Sequence, residues 1–176
     1  MSGHNKWSQI KHKKAKTDGA KAKVFSKYSK IIAVEARIAK GDRNSPGLRA
    51  AIERARAEDV TNDVIDRAVK KATESGGTAL ETIVYEAYGP GGCAMIIEAL
   101  TDNRNKAAQE VKHALSKNGF ALASIGSASW AFEKKEGKWN PTTMTELSDE
   151  DLPALEKLVN DLEECEEVQE VFTNVE

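Results

Sequence analysis

Apolar residues recur at helical spacing through the first part of the chain and at strand spacing after it. Val24, Phe25, Tyr28, Ile31, Ile32 and Ile38 form one broad stripe over residues 24–39. This predicts an amphipathic helix, ended by Gly41 with Lys40 in its last turn. Beyond GDRNSPG a second helix is predicted over 48–57, with Leu48, Ala51, Ile52 and Ala55 inward. A third follows VTNDV, with Thr61 or Asn62 as N-cap, Val64, Ile65, Ala68, Val69 and Ala72 inside, and ESGGT closing it. Three short amphipathic helices with brief connections predict a helical bundle.

The pattern then changes. ETIVYEAYGPGGCAMIIEALT holds two apolar runs around Gly89-Pro90-Gly91-Gly92, read as two strands and a tight turn. DNRNKAAQEVKHALSKNG predicts a helix capped by Asp102 or Asn103, with Ala107, Ala108, Val111 and Leu115 inward and Gly119 at its stop. SASWAFEKK alternates as a strand, and residues 136–147 read as a connecting loop. The last helix, predicted over 148–163, carries Leu152, Leu155, Val159 and Leu162 inward and tolerates Pro153 near its start. EVQEVFTNV is the closing strand. The fold class is therefore α+β: a three-helix bundle followed by an α+β sandwich of about four strands with two helices on one face. The expected plan is a basic arm over residues 1–23, a bundle over 24–76 and the α+β domain over 77–176.

Composition sharpens this picture through charge. The 176 residues are 40% hydrophobic and 31% charged, as in a globular protein of slightly high charge. No apolar run has the length of a membrane span, and the first twenty residues lack the apolar core of a secretory signal. Cys93 and Cys165 lie far apart without metal-ligand spacing, as ordinary reduced thiols do, so a cytoplasmic protein is expected. The net charge of -2 conceals a gradient: residues 1–75 carry 18 Lys+Arg against 9 Asp+Glu, 76–137 carry 6 against 7, and 138–176 carry 2 against 12. A basic front and an acidic end imply a polyanionic partner for the first part.

The basic signal concentrates in GHNKWSQIKHKKAKTD and the turn after it. Residues 1–30 hold nine lysines and one acid. Lys6, Lys11, Lys13, Lys14, Lys16, Lys21, Lys23 and Lys27, with His12, can follow a phosphate backbone and release its counterions. Trp7 offers a flat face for an unpaired base; Tyr28 is a weaker candidate because it also lies on the helix stripe. Charge alone would equally describe a solvated tail, and Trp7 weighs against that reading. TDNRNKAA places Asn103, Arg104 and Lys106 at a helix start, where free N–H groups and the positive dipole end favour an anion. The same residues serve equally as an N-cap with a solvent-facing first turn.

Catalytic chemistry finds little support. GPGG lacks the strand-loop-helix setting and lysine of a phosphate loop, so a hairpin turn is favoured. His4, His12 and His113 have no metal-ligand spacing, and no nucleophile motif is present. A non-enzymatic protein with no cofactor, metal, membrane or small-molecule substrate is expected.

Taken together, GHNKWSQIKHKKAKTD, KVFSK, YEAYGPGG, LTDNRNKAAQEVKHALSKNG, GSASWAFEKK and EVQEVFTNVE closely resemble the YebC family, in collinear order over nearly the whole chain. The family includes the mitochondrial translational activator of cytochrome oxidase subunit I. The resemblance implies a three-helix domain followed by two related α+β domains, one inserted in the other, with the basic motif and TDNRN as functional surfaces. It further implies either a DNA-binding transcriptional regulator or a ribosome-associated factor that eases stalls at proline-rich stretches. A mobile Lys-rich arm suits irregular RNA, and no helix offers a row of Arg, Asn and Gln for reading a DNA major groove. Where family members carry the inserted domain, this chain has only the short stretch through Trp139 and Pro141, and Asn5 stands where serine is usual.

Overall fold

In a computed structural model, which describes residue 7 and residues 18–74 and 78–176, the chain forms two units that meet in sequence between Glu81 and Thr82. The first contains α1 (Asp18–Ile38), α2 (Pro46–Ala57) and α3 (Asn62–Thr73). Helix α1 begins six residues before its apolar stripe. The added turn is Asp18-Gly19-Ala20-Lys21-Ala22-Lys23, rich in good helix formers but without a large apolar residue to set a period. Lys21 and Lys23 are thus helical. Ile32, Ala36, Leu48, Ala51, Ile52, Ala55, Ile65 and Val69 form the buried core, with Val24, Phe25, Tyr28 and Ile31 against it. Ile38 departs from the expected stripe at 71% exposed, because six residues beyond Ile32 it lies about 240° round the helix. Alanines at the α2 positions facing the core let the helices approach closely, and Arg43 pairs with Asp66 of α3 at 2.6 Å.

The α+β unit contains β1 (Glu81–Tyr88), β2 (Ala94–Thr101), α4 (Arg104–Lys117), β3 (Phe132–Lys135), β4 (Lys138–Pro141), α5 (Asp151–Glu163) and β5 (Val168–Thr173). The expected α+β architecture is present, with its strands in two sheets rather than one of four. The main sheet has the order β1-β2-β5, and β3 pairs with β4 alone. Strands β2 and β5 are antiparallel, with Ile96 opposite Phe172 and Ile97 opposite Val171. Alternation along β2 sends Met95 and Ile97 toward the core shared with Leu115, Leu155, Leu158 and Leu162. Ala94 and Ile96 point the other way, to Ala128, Ala131, Phe132 and Trp139.

Residues 136–147 differ most from expectation. Instead of a plain loop, Glu136 (φ 51°) and Gly137 (φ 79°) make a tight turn, and residues 138–141 return antiparallel to β3. Two positive φ values in succession are the signature of the hairpin turn whose twist matches its strands. Four-residue strands are too short to announce themselves by alternation. The chain then runs back beside the sheet through Thr145 N–H to the Asn174 carbonyl at 2.7 Å. The buried Asn174 side chain accepts from Ala94 N–H at 2.8 Å and donates to the Thr143 carbonyl at 2.9 Å. Among the described residues no helix is long and apolar enough to cross a membrane.

GPGG is a turn closed on itself. Gly89 N–H donates to the Cys93 carbonyl at 2.9 Å, and Gly92 N–H to that of Gly89 at 3.0 Å, so these two donors are spent within the turn. Gly91 sits at φ 64°, and a Cβ there would press on the Leu147 side chain and come within 3.3 Å of the Asp151 carboxylate. Gly91→Ala is therefore expected to cost about 1–3 kcal/mol, read as a lower denaturant midpoint with an unchanged slope in equilibrium unfolding.

Candidate nucleic-acid interface

Of the residues expected to meet nucleic acid, Lys6, Lys11, His12, Lys13, Lys14 and Lys16 lie outside the described residues. The rest of the basic set is on α1. Lys21 and Lys23 are exposed, and Lys27 is half-buried. Lys23, Lys27, Lys30 and Arg37 follow one another at four-, three- and seven-residue steps, which places them along one side of the helix. The arginines of α2 are engaged locally. Arg49 pairs with Glu53 at 3.6 Å, Arg54 donates to the Ala50 carbonyl, and Arg56 donates to Asn62.

Trp7 corrects the sequence reading. It is 8% exposed and belongs to the apolar cluster of the α+β unit that includes Ala87, Met95, Val111 and Leu155. A ring used for stacking needs a free face, and Trp7 spends its faces on packing. A lone aromatic among lysines has no periodicity to reveal which role it plays.

The TDNRN helix start is largely satisfied by its own side chains. Asn103 is the N-cap, its Oδ1 accepting from Lys106 N–H at 3.1 Å, and buried Thr101 accepts from Asn103 N–H at 2.9 Å. Arg104 opens the helix with its side chain at the surface. Lys106, expected to take a phosphate, instead binds carboxylates: Glu166 at 2.6 Å and Glu167 at 2.8 Å, with Glu110 at 3.9 Å. Hydrogen bonds to Glu166 and Glu167 raise its pKa further above the ordinary lysine range. A phosphate would have to displace at least two short ion pairs to reach this ammonium. The three glutamates are also the cluster that could hold a cation among the described residues, and the Lys106 ammonium already supplies the positive charge there.

SASWAFEKK does not form one strand: residues 129–131 make a short 3-10 turn and β3 begins only at Phe132. Glu86, 6% exposed in β1, accepts from Gly126 N–H at 2.7 Å with one oxygen and from Ala128 and Ser129 N–H at 2.7 and 2.8 Å with the other. Burial pushes its pKa up, but the backbone donors of Gly126, Ala128 and Ser129 outweigh it and hold the carboxyl below the ordinary glutamate range. The loop so fixed carries Ile125, 97% exposed, and Trp130, 59% exposed. Trp130 Nε1–H donates to the Tyr88 hydroxyl at 3.0 Å, and that hydroxyl donates to the Ser127 carbonyl. Alternation along β1 gives Glu86 the face of Thr82 and Tyr88, both exposed, so the strand pattern alone would leave it toward solvent. Cys93 offers no nucleophile, since burial pushes its thiol up to about 11.

Charge divides between the two units, with 18 Lys+Arg against 9 Asp+Glu over residues 1–75 and 8 against 19 over 76–176. The TACO1/YebC protein N-terminal domain matches residues 5–75, and the TACO1/YebC second and third domain matches residues 80–137 and 133–175. The chain belongs to the TACO1/YebC family. It is 44% identical over 171 residues to a probable transcriptional regulatory protein of Fervidobacterium nodosum, covering 96% of this chain and 68% of that one. A protein of the same description from Petrotoga mobilis is 46% identical over 176 residues, covering 98% and 70%. One from Thermotoga maritima is 50% identical over 137 residues, and that match spans only 54% of its length. The crystal structure of a conserved hypothetical protein from Aquifex aeolicus superposes with a TM-score of 0.82 at 30% identity, covering 97% of this chain and 96% of that one.

Glu86 yields a test of how the 124–130 loop is held. Its folded-state pKa lies below the unfolded value, so its stabilisation is fully present above the unfolded pKa and fades as pH falls through the folded one. Glu86→Gln removes the charge behind three short hydrogen bonds and is expected to cost about 1–3 kcal/mol at neutral pH. In chemical denaturation the gap between wild type and variant should narrow on acidification below the ordinary carboxylate range. Asp161, held low by its hydrogen bonds from Asn118 and Lys157, shifts wild-type stability in the same direction.

Proposed function

We propose that this chain is a non-enzymatic regulator of gene expression that works in the cytoplasm on the ribosome. In this reading it binds RNA through its Lys-rich arm and helix α1 and eases stalls at proline-rich stretches. The observation that carries the proposal is the separation of charge: 18 Lys+Arg against 9 Asp+Glu over residues 1–75, followed by 8 against 19 over 76–176. Closely spaced lysines suit the irregular phosphate path of folded RNA, and the local engagement of the α2 arginines argues against a helix that reads base edges. Arg104 at the start of α4 remains a second candidate contact, while the carboxylates around Lys106 weaken the case for that residue.

A second reading, a DNA-binding transcriptional regulator, draws on the description of the relatives as probable transcriptional regulatory proteins. Crosslinking in cells followed by sequencing of the attached nucleic acid separates the two: ribosomal RNA favours the first, promoter DNA the second.

The phosphate contact itself is tested by titrating the full chain with a labelled oligouridylate at several salt concentrations. With about six lysines on phosphates, affinity should fall on the order of a thousandfold between ~50 and ~200 mM salt. A flat salt response would exclude the arm as a phosphate-binding element. Changing Lys11, Lys13, Lys14 and Lys16 together to glutamate should abolish binding while leaving thermal unfolding of the chain unaltered.

A further inference from the structure

Trp7 and helix α1 are neighbours in sequence that belong to different units. The Trp7 indole is 8% exposed and lies in the apolar cluster of Ala87, Met95, Val111 and Leu155, within the unit that takes residues 82–176. Helix α1 begins at Asp18, in the other unit. The chain therefore passes between the units twice, once between Trp7 and Asp18 and once between Glu81 and Thr82.

The core of the α+β unit is thus completed from outside its own continuous stretch. Its other members come from β1, β2, α4, α5, β5 and the residues that adjoin them, and a single indole is brought in from ahead of the bundle. An indole buries more apolar area than any other side chain, so its packing holds the segment that carries it. That segment is the basic one. Lys6 adjoins Trp7, and Lys11, Lys13, Lys14 and Lys16 lie between Trp7 and Asp18. A stretch fixed at both ends has fewer conformations than one fixed at a single end, and its side chains lose less entropy on meeting a ligand.

We propose that Trp7 is a positioning residue that anchors the Lys-rich arm to the α+β unit and so presents the arm's lysines to phosphate. The proposal rests on the phosphate reading above and adds what holds the arm in place. Trp7 acts here through packing, in place of the stacking role that sequence alone assigned to it.

Anchoring is read without nucleic acid, by limited trypsin digestion of the full chain with cleavage sites identified by mass spectrometry. Lys112 and Lys117 of α4 become cleavable when the α+β unit unfolds, whereas the arm lysines need only the release of Trp7. Trp7→Ala should speed cleavage at Lys11 to Lys16 on the order of a hundredfold and leave the arm cut well before α4. Trp7→Phe, which keeps a ring in the core, should retain most of the protection. Arm cleavage as fast in the wild type as in Trp7→Ala overturns the anchor. So does cleavage of the arm in step with α4 in both variants, which makes Trp7 a core residue only. In titrations with labelled oligouridylate, Trp7→Ala should weaken binding about tenfold and preserve the salt slope, because every lysine remains. If the four-glutamate arm variant loses binding while Trp7→Ala binds as the wild type does, only this proposal falls and the phosphate reading stands. If the wild type does not bind, both fall together.

Discussion

A three-stranded sheet has two faces, and the two helices of the α+β unit cover only one. Strand β2 lies in the middle of that sheet and is buried along nearly its whole length, so the second face must be sealed by something else. The chain uses a short hairpin and an irregular turn, placing Ala128, Ala131, Phe132 and Trp139 over Ala94, Ile96 and Phe172. Irregular backbone laid on a sheet brings N–H groups without secondary-structure partners, and those need acceptors. Three polar side chains on this side of the sheet provide fixed points. Glu86 takes the turn before β3. Glu98 takes Lys134 at 3.0 Å and the Trp139 indole at 2.8 Å. Asn174 joins the start of β2 to the returning strand. The exposed loop, the hairpin and the position of Trp130 all follow from the need to close this face.

Charge follows the division into units. The basic residues of α1 and of the preceding arm sit in a segment with few acids, whereas cations of the α+β unit tend to be consumed by its own carboxylates. Lys106 is held by Glu166 and Glu167, Lys134 by Glu98, and Lys157 by Asp161. With 8 Lys+Arg against 19 Asp+Glu over residues 76–176, the α+β unit keeps a net negative charge beyond these pairs.

How much could be read in the sequence depended on the range over which each signal acts. The inward residues of α2, α4 and α5 were legible because helical period is written within a dozen residues, as Leu48-Ala51-Ile52-Ala55 and Leu152-Leu155-Val159-Leu162 show. The first turn of α1 was not, since alanine and lysine form helix without marking a face. Ile38 misled because apolarity at a helix end says nothing of the direction in which it points. Lys106 and Glu86 were illegible for another reason. Their partners lie about 60 and 40 residues away in sequence, and only the folded sheet brings them together. Trp7 belonged to the same class, a side chain whose role is decided by a core assembled from distant segments.

The β3–β4 hairpin joins two parts of the chain that the family's second and third domain matches separately, the matches meeting over residues 133–137. Because Lys135 and Lys138 are paired across the turn, the two ends of any segment spliced at Glu136–Gly137 would emerge about one strand spacing apart, near 5 Å. The two stems would still hold each other and still cover the sheet. An extension at that tip would load the structure only through a hinge already closed at its base. The hairpin is thus a junction at which chain length can vary while the sheet beneath it keeps its register.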